Sequence, residues 1–103
     1  MKIYKVLGSV TLSRFHPTFT GARLVAAESA DAELLGTPAA ENPDLLIVWD
    51  ALGAGLGAKI AVSDGGEAAQ PFRPELKAVD AYCSAILDTV NIDPQTVQQI
   101  KFQ

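Results

Sequence analysis

Two architectures part company at Asp50 to Gly66, which read DALGAGLGAKIAVSDGG. Gly53-Ala54-Gly55-Leu56-Gly57-Ala58 follows an apolar run and matches the pattern G-x-G-x-x-G/A. A dinucleotide reading requires a helix to open at that point, so that its N-terminal amides can hold a pyrophosphate. The next residues, Lys59-Ile60-Ala61-Val62, alternate in the manner of a strand, and Ser63 to Gly66 read as a turn. No ten-residue helix fits between them. The stretch is therefore read as a glycine-rich turn joining two strands, with glycines supplying positive φ and allowing another backbone to come close. Upstream, Leu45 to Asp50 (LLIVWD) is a short apolar run bounded by turn residues, which predicts a strand buried on both faces.

Residues 2–13 place Tyr4, Val6, Val10 and Leu12 on one parity and Lys5, Ser9, Thr11 and Ser13 on the other. A period of two with β-branched residues predicts a half-buried strand. Gly8 interrupts it, as a bulge or sharp bend would. Arg14 to Thr20 is a connection fixed by Pro17, and Gly21 opens a second run with Ala22, Leu24 and Ala26 on one parity. Residues 29–44 read as a loop, with room for one helical turn near Asp31 to Leu35. Between 74 and 90 the residues Leu76, Val79, Cys83, Ile86, Leu87 and Val90 stand at helical spacing, although AYCSAILDTV would also serve as a strand. Asn91 to Pro94 is a turn, and Ile100 and Phe102 fit a final edge strand. Five or six short strands between glycine and proline turns predict a small β-barrel.

The chain has 103 residues, enough for one domain spanning 1–103. Half of it, 49%, is apolar, so global disorder is not expected. Eight basic against twelve acidic residues give a net charge of -4. Such a chain gains no counterion release from a phosphate backbone and no attraction to an anionic membrane, so neither nucleic acid nor membrane is expected as a partner. The one cysteine, Cys83, cannot close an internal disulfide, which fits a reducing compartment. Met1 to Ser13 lacks the apolar core of a signal peptide, so the chain reads as cytosolic and complete.

Candidate chemistry is sparse. His16, the one histidine, could join Ser13 or Ser63 and Asp50 or Asp64 in a hydrolytic triad, but no nucleophile-elbow motif accompanies it. His16 and Cys83 lack the paired spacing of a metal site. The aromatic residues, Trp49 among them, could stack bases on an oligonucleotide-binding barrel, but no basic stripe runs beside them, and packing is the better reading. Asp50, Asp80 and Asp88 could form a carboxylate set, and they also suit strand ends and turns. No cofactor is expected.

The residues from Asp50 onward resemble the EutN/CcmL family, the pentameric vertex proteins of bacterial microcompartment shells. Asp50-Ala51-Leu52-Gly53-Ala54-Gly55-Leu56-Gly57 follows the family's D-x-[VL]-G-A-G-x-G, and Ile60-Ala61-Val62-Ser63-Asp64-Gly65 continues it. Gly8-Ser9-Val10-Thr11, Phe19-Thr20-Gly21-Ala22-Arg23-Leu24-Val25, Val79-Asp80-Ala81 and Ile86-Leu87-Asp88-Thr89-Val90 match further pieces in the right order. The chain departs at Ala58, where members often have an acidic residue, at Ala69, where they often have arginine, and at Ala78 and Ala85. The resemblance implies a mainly β fold: a five- to six-stranded barrel of oligonucleotide-binding type, with at most one short helix, assembling as a cyclic pentamer. It implies a strand at about 83–90 and at most a short helix between 66 and 80. It also implies a structural role capping five-fold shell corners beside hexameric and trimeric shell proteins, without catalysis or cofactor. Asp50, Gly53, Ala54, Gly55 and Gly57 would form an assembly interface, and Ser63, Asp64, Gly65 and Gly66 a pore or rim loop. The alternative is an oligonucleotide-binding-fold module for nucleic acid or a small ligand.

Overall fold

The computed structural model describes residues 1–19, 21–39, 44–74 and 77–101. Five strands, β1 (Lys2–Val10), β2 (Arg23–Ser29), β3 (Leu45–Asp50), β4 (Lys59–Asp64) and β5 (Ala81–Ile86), close into a barrel in the order β1-β2-β3-β5-β4. Every pairing is antiparallel except β3 with β5, which meet in parallel at Trp49 and Tyr82. A short helix α1 (Asp31–Leu35) follows β2, a second helix α2 (Pro94–Lys101) ends the described chain, and 3-10 turns occupy Pro17–Phe19 and Gly65–Phe72.

Alternation along β1 produces the expected half-buried strand: Tyr4 and Val6 point into the barrel. The bulge falls where Gly8 predicts it. Val6 pairs with Ala27 and Gly8 with Ala26, so Leu7 is the extra residue. An inserted residue sharpens local twist, which a five-stranded barrel needs in order to close. The interior is filled by Tyr4, Val6, Val25, Ala27, Val48, Ile60, Val62, Ala81 and Cys83, with Ala54 from the glycine-rich loop. The other face of β2 and β3 is also used. Trp49, Ala68 and Val79 form a second cluster outside the barrel wall, joined by Phe19, Ala22, Leu24, Phe72 and Tyr82. Both parities of β2 are thus apolar because each serves a different cluster.

Four sequence expectations change. Strand β3 is buried on both faces only at its end. Val48, Trp49 and Asp50 are buried, but Leu45 is 61% exposed and Ile47 is exposed too. The late strand runs Ala81–Ile86 rather than 83–90, and Leu87 to Val90 lie beyond it. The helical spacing there has no common face: Val79 enters the outer cluster, Cys83 enters the barrel and Ile86 is exposed, while Leu76 lies outside the described residues. Ser63 and Asp64 belong to β4, so the turn begins only at Gly65. The tail is a helix rather than an edge strand. Asp93 Oδ1 accepts from the Gln95 amide at 3.1 Å and Oδ2 from the Thr96 hydroxyl at 2.7 Å, while Pro94 at the first helical position has no amide hydrogen to leave unpaired. Phe102 lies outside the described residues. Where one short helix was allowed, the described residues hold two, α1 and α2.

Candidate functional site

Asp50, at the end of β3, is 1% exposed. A buried carboxylate needs donors around both oxygens, and the glycine-rich loop supplies them. Asp50 Oδ1 accepts from the amides of Leu52 at 2.9 Å and Gly53 at 3.2 Å. Oδ2 accepts from the Ala54 amide at 2.7 Å and from Arg23 Nη2 at 3.3 Å. The same guanidinium donates to the Ala54 carbonyl. Burial alone would push the Asp50 carboxyl up. The Leu52 and Ala54 amides and Arg23 outweigh it and hold the group below the usual carboxylate range. Four residues after Asp50, Ala54 is folded back into the barrel, so the loop is anchored at its middle.

The far end is anchored as well. The Gly57 amide donates to the Val6 carbonyl at 2.8 Å, the Val6 amide to the Ala58 carbonyl at 2.9 Å, and the Ala58 amide to the Gly55 carbonyl at 3.1 Å. Gly53 and Gly57 hold φ of 84° and 81°, where a side chain is strained. Gly55 does not, and a Cβ there would meet nothing within 4 Å. Between the anchors the loop turns outward. Leu52 is 52% and Leu56 79% exposed. The arrangement is a rigid exposed loop presenting two leucines and a glycine that the chain itself does not require.

Among the expected site residues, Gly53, Gly55 and Gly57 are exposed, whereas Asp50 and Ala54 are buried and position the others. No helix follows the glycines, since β4 begins at Lys59. Ser63, Asp64, Gly65 and Gly66 lie together where β4 passes into the 3-10 turn. Ser63 bonds the Ser84 hydroxyl at 2.7 Å, Asp64 pairs with Lys2 at 3.6 Å, and the Gly65 amide donates to the Asp80 carbonyl at 2.7 Å. His16 bonds Thr18 rather than any of the serines or aspartates of a supposed triad. Cys83 lies inside the barrel, its thiol pushed up to about 11 by burial and by the nearby Asp50 charge. Asp50 is buried while Asp80 and Asp88 are exposed, so they form no carboxylate set.

Four of the aromatic residues pack on one another, while Phe15 is exposed and Tyr4 lies inside the barrel. Trp49 meets Phe72 edge-on at 5.8 Å and Phe72 meets Tyr82 at 5.5 Å, with Phe19 6.3 Å from Trp49 and the Lys77 ammonium over Trp49 and Phe72. Their faces are spent on the outer cluster rather than offered to bases.

Residues 1–88, the whole barrel, match the family model described as ethanolamine utilisation protein EutN/carboxysome. The chain belongs to the EutN/CcmL family. Its relatives include the carboxysome shell vertex protein CcmL of Thermosynechococcus vestitus, 34% identical over 95 residues, covering 90% of this chain and 89% of that protein. The bacterial microcompartment shell vertex protein PduN of Salmonella typhimurium is 29% identical over 93 residues, covering 88% of this chain and 99% of that one. Among solved structures, the pentameric microcompartment shell protein GrpN of Rhodospirillum rubrum superposes with a TM-score of 0.73 at 28% identity, over 90% of this chain and 100% of that one. In this EutN/CcmL chain, Arg23 is the partner that holds the aspartate of the glycine loop. The sequence placed Arg23 beside a glycine in a motif without showing that it faces Asp50. Ala69, where the resemblance leads one to expect arginine, lines the same cleft as Arg73.

Proposed function

We propose that this EutN/CcmL chain is a structural protein that forms pentamers and closes five-fold corners of a bacterial microcompartment shell in the cytoplasm. The observation that carries the reading is the likeness of the whole barrel, along nearly its full length, to proteins named as shell vertex proteins. The fold supports it. A closed barrel has no free strand edge through which copies could add as sheets, so association must use side chains and loops. A ring of five needs a heterologous interface, in which one patch meets a different patch of the next copy. The Asp50-locked loop supplies one such patch, rigid and exposed. Gly55 and Leu56 would lie in the seam, with Gly53 and Gly57 shaping the loop and Asp50, Ala54 and Arg23 holding it from behind. The Ser63 to Gly66 segment is the candidate for the rim near the axis.

A flat layer of hexagonal tiles cannot close without five-fold corners, so the partners are hexameric and trimeric shell proteins, and the job requires no catalytic group. Co-production with hexameric shell proteins tests this by electron microscopy. Closed polyhedral particles are expected with the chain, and open sheets or tubes without it. Equally closed particles in its absence would contradict the reading.

A further inference from the structure

Strand β3 reads LLIVWD, apolar at every position before Asp50. Val48 fills the barrel interior, as do Val25 and Ala27 of β2. By alternation the opposite parity faces outward: Leu45, Ile47 and Trp49 on β3, Leu24 and Ala26 on β2. These residues pair across the strands, Leu24 with Trp49 and Ala26 with Ile47. Their cover is uneven. The outer cluster takes in Trp49 and Leu24, whereas Leu45 and Ile47 are open to solvent, and so are Leu12 and Phe15. A contiguous apolar surface of this kind marks a contact site.

Two adjoining hollows lie along this face, of about 210 and 160 Å³. Leu12, Phe19 and Leu24 line both, Phe15 lines the first and Ile47 the second. Among the described residues, the charged groups at their walls are Arg23 and Asp80, and Arg23 is already paired with Asp50. A closed apolar cavity of about 150 Å³ holds a group the size of benzene, so each hollow has room for one aliphatic side chain. One wall is a strap, residues 14–19, which carries Phe15 and Phe19. It is fixed in place: the Phe19 amide donates to the His16 carbonyl at 2.9 Å, the Thr18 amide to His16 Nδ1 at 3.2 Å, and the Ala78 amide to Thr18 Oγ1 at 2.9 Å.

We propose that Leu56 of one copy enters the hollow between Leu12, Phe19 and Leu24 of the next, so that the outer face of β2 and β3 is the receiving half of the ring seam. The inference rests on the ring proposed above and names the patch that the glycine loop meets. A head-to-tail ring needs two unlike patches on one chain. The loop is rigid and convex with an exposed leucine at its turn, and the β2–β3 face is concave and apolar. Such a contact closes into a ring rather than running on as a filament only if its two halves keep a fixed angle. Arg23 sets that angle. It stands on β2 and lines the first hollow, and its guanidinium holds Asp50 and the Ala54 carbonyl at the root of the loop. A seam here also accounts for a strand that is apolar on both faces while only one of them faces the core.

Native mass spectrometry of whole-chain variants tests the pairing. Leu56→Glu spoils the knob and Leu12→Asp spoils the hollow. Each alone should abolish the pentamer and leave a single chain with wild-type circular dichroism. Mixed at high concentration, the two should form a one-to-one dimer and nothing larger, because the intact loop of Leu12→Asp fits the intact hollow of Leu56→Glu and each pair has only one sound seam. Leu35→Glu, at an exposed leucine on α1 outside both patches, should stay pentameric. A wild-type chain that forms no pentamer would overturn the ring and this seam together. Wild-type pentamers that persist in Leu56→Glu or Leu12→Asp, or a mixture of the two variants without the dimer, would overturn the seam and leave the ring standing.

Discussion

Changing Asp50 to asparagine keeps the size of the side chain and removes its charge. One oxygen becomes an amide whose hydrogens face either the donors of Arg23 and Ala54 or those of Leu52 and Gly53, and buried donors lose their partner. Asp50→Asn should therefore cost about 2–4 kcal/mol of stability near neutral pH. The acid side gives a second reading. Because the folded carboxyl is held below its ordinary value, its contribution is fully present above the unfolded pKa of about 3.9 and is lost as pH falls through the folded value. Glu33, beside Lys5 and Lys59, and Asp93, bonded to Thr96, are held low too, so the difference between wild type and variant isolates Asp50. Urea unfolding should show that difference narrowing below about pH 4. A variant as stable as wild type at neutral pH would remove Asp50 from this role. At this scale the sequence was only half legible. The aspartate stood out by its motif, but nothing local linked it to Arg23, which is 27 positions away. The bonds from Lys77 and the Ala78 amide to Thr18 were equally hidden, since they join segments about 60 positions apart.

The glycine loop divides by backbone geometry. Gly57 needs its positive φ, and alanine there should strain the turn by about 1–2 kcal/mol, lowering Tm by several degrees while pentamers persist. Gly55 has ordinary φ and empty space around it. Alanine there should leave the far-UV circular dichroism of the chain unchanged and shift native mass spectra away from the pentamer. Pentamers of Gly55→Ala as abundant as wild type would take Gly55 out of the seam. Elements with a strict period of two, such as β1 with its Gly8 bulge, were readable because one face is wet and the other dry. The region from 74 to 90 misled because its apolar residues serve two clusters on opposite sides of the barrel wall, which mimics helical spacing. For the tail, the signal existed in Asp93-Pro94-Gln95-Thr96, a capping aspartate followed by a proline at the first helical position. The apolar Ile100 and Phe102 drew the reading to a strand instead.

At the scale of the whole molecule, a barrel of about a hundred residues buries a limited core. This one leaves Leu45, Leu52 and Leu56 in solvent. A monomer would carry that apolar surface at a cost in solubility, and a ring with Leu56 in its seam, as proposed, would cover part of it. A structural role also fits the way the polar groups are used: Asp50 locks a loop, Cys83 is buried and its thiol is raised to about 11, and His16 is held in a strap. The central claim is that five copies form one ring. Native mass spectrometry of the purified chain at micromolar concentration tests it most directly. The account predicts a dominant species at five times the 10.9 kDa chain mass, and a spectrum dominated by the single chain would contradict it.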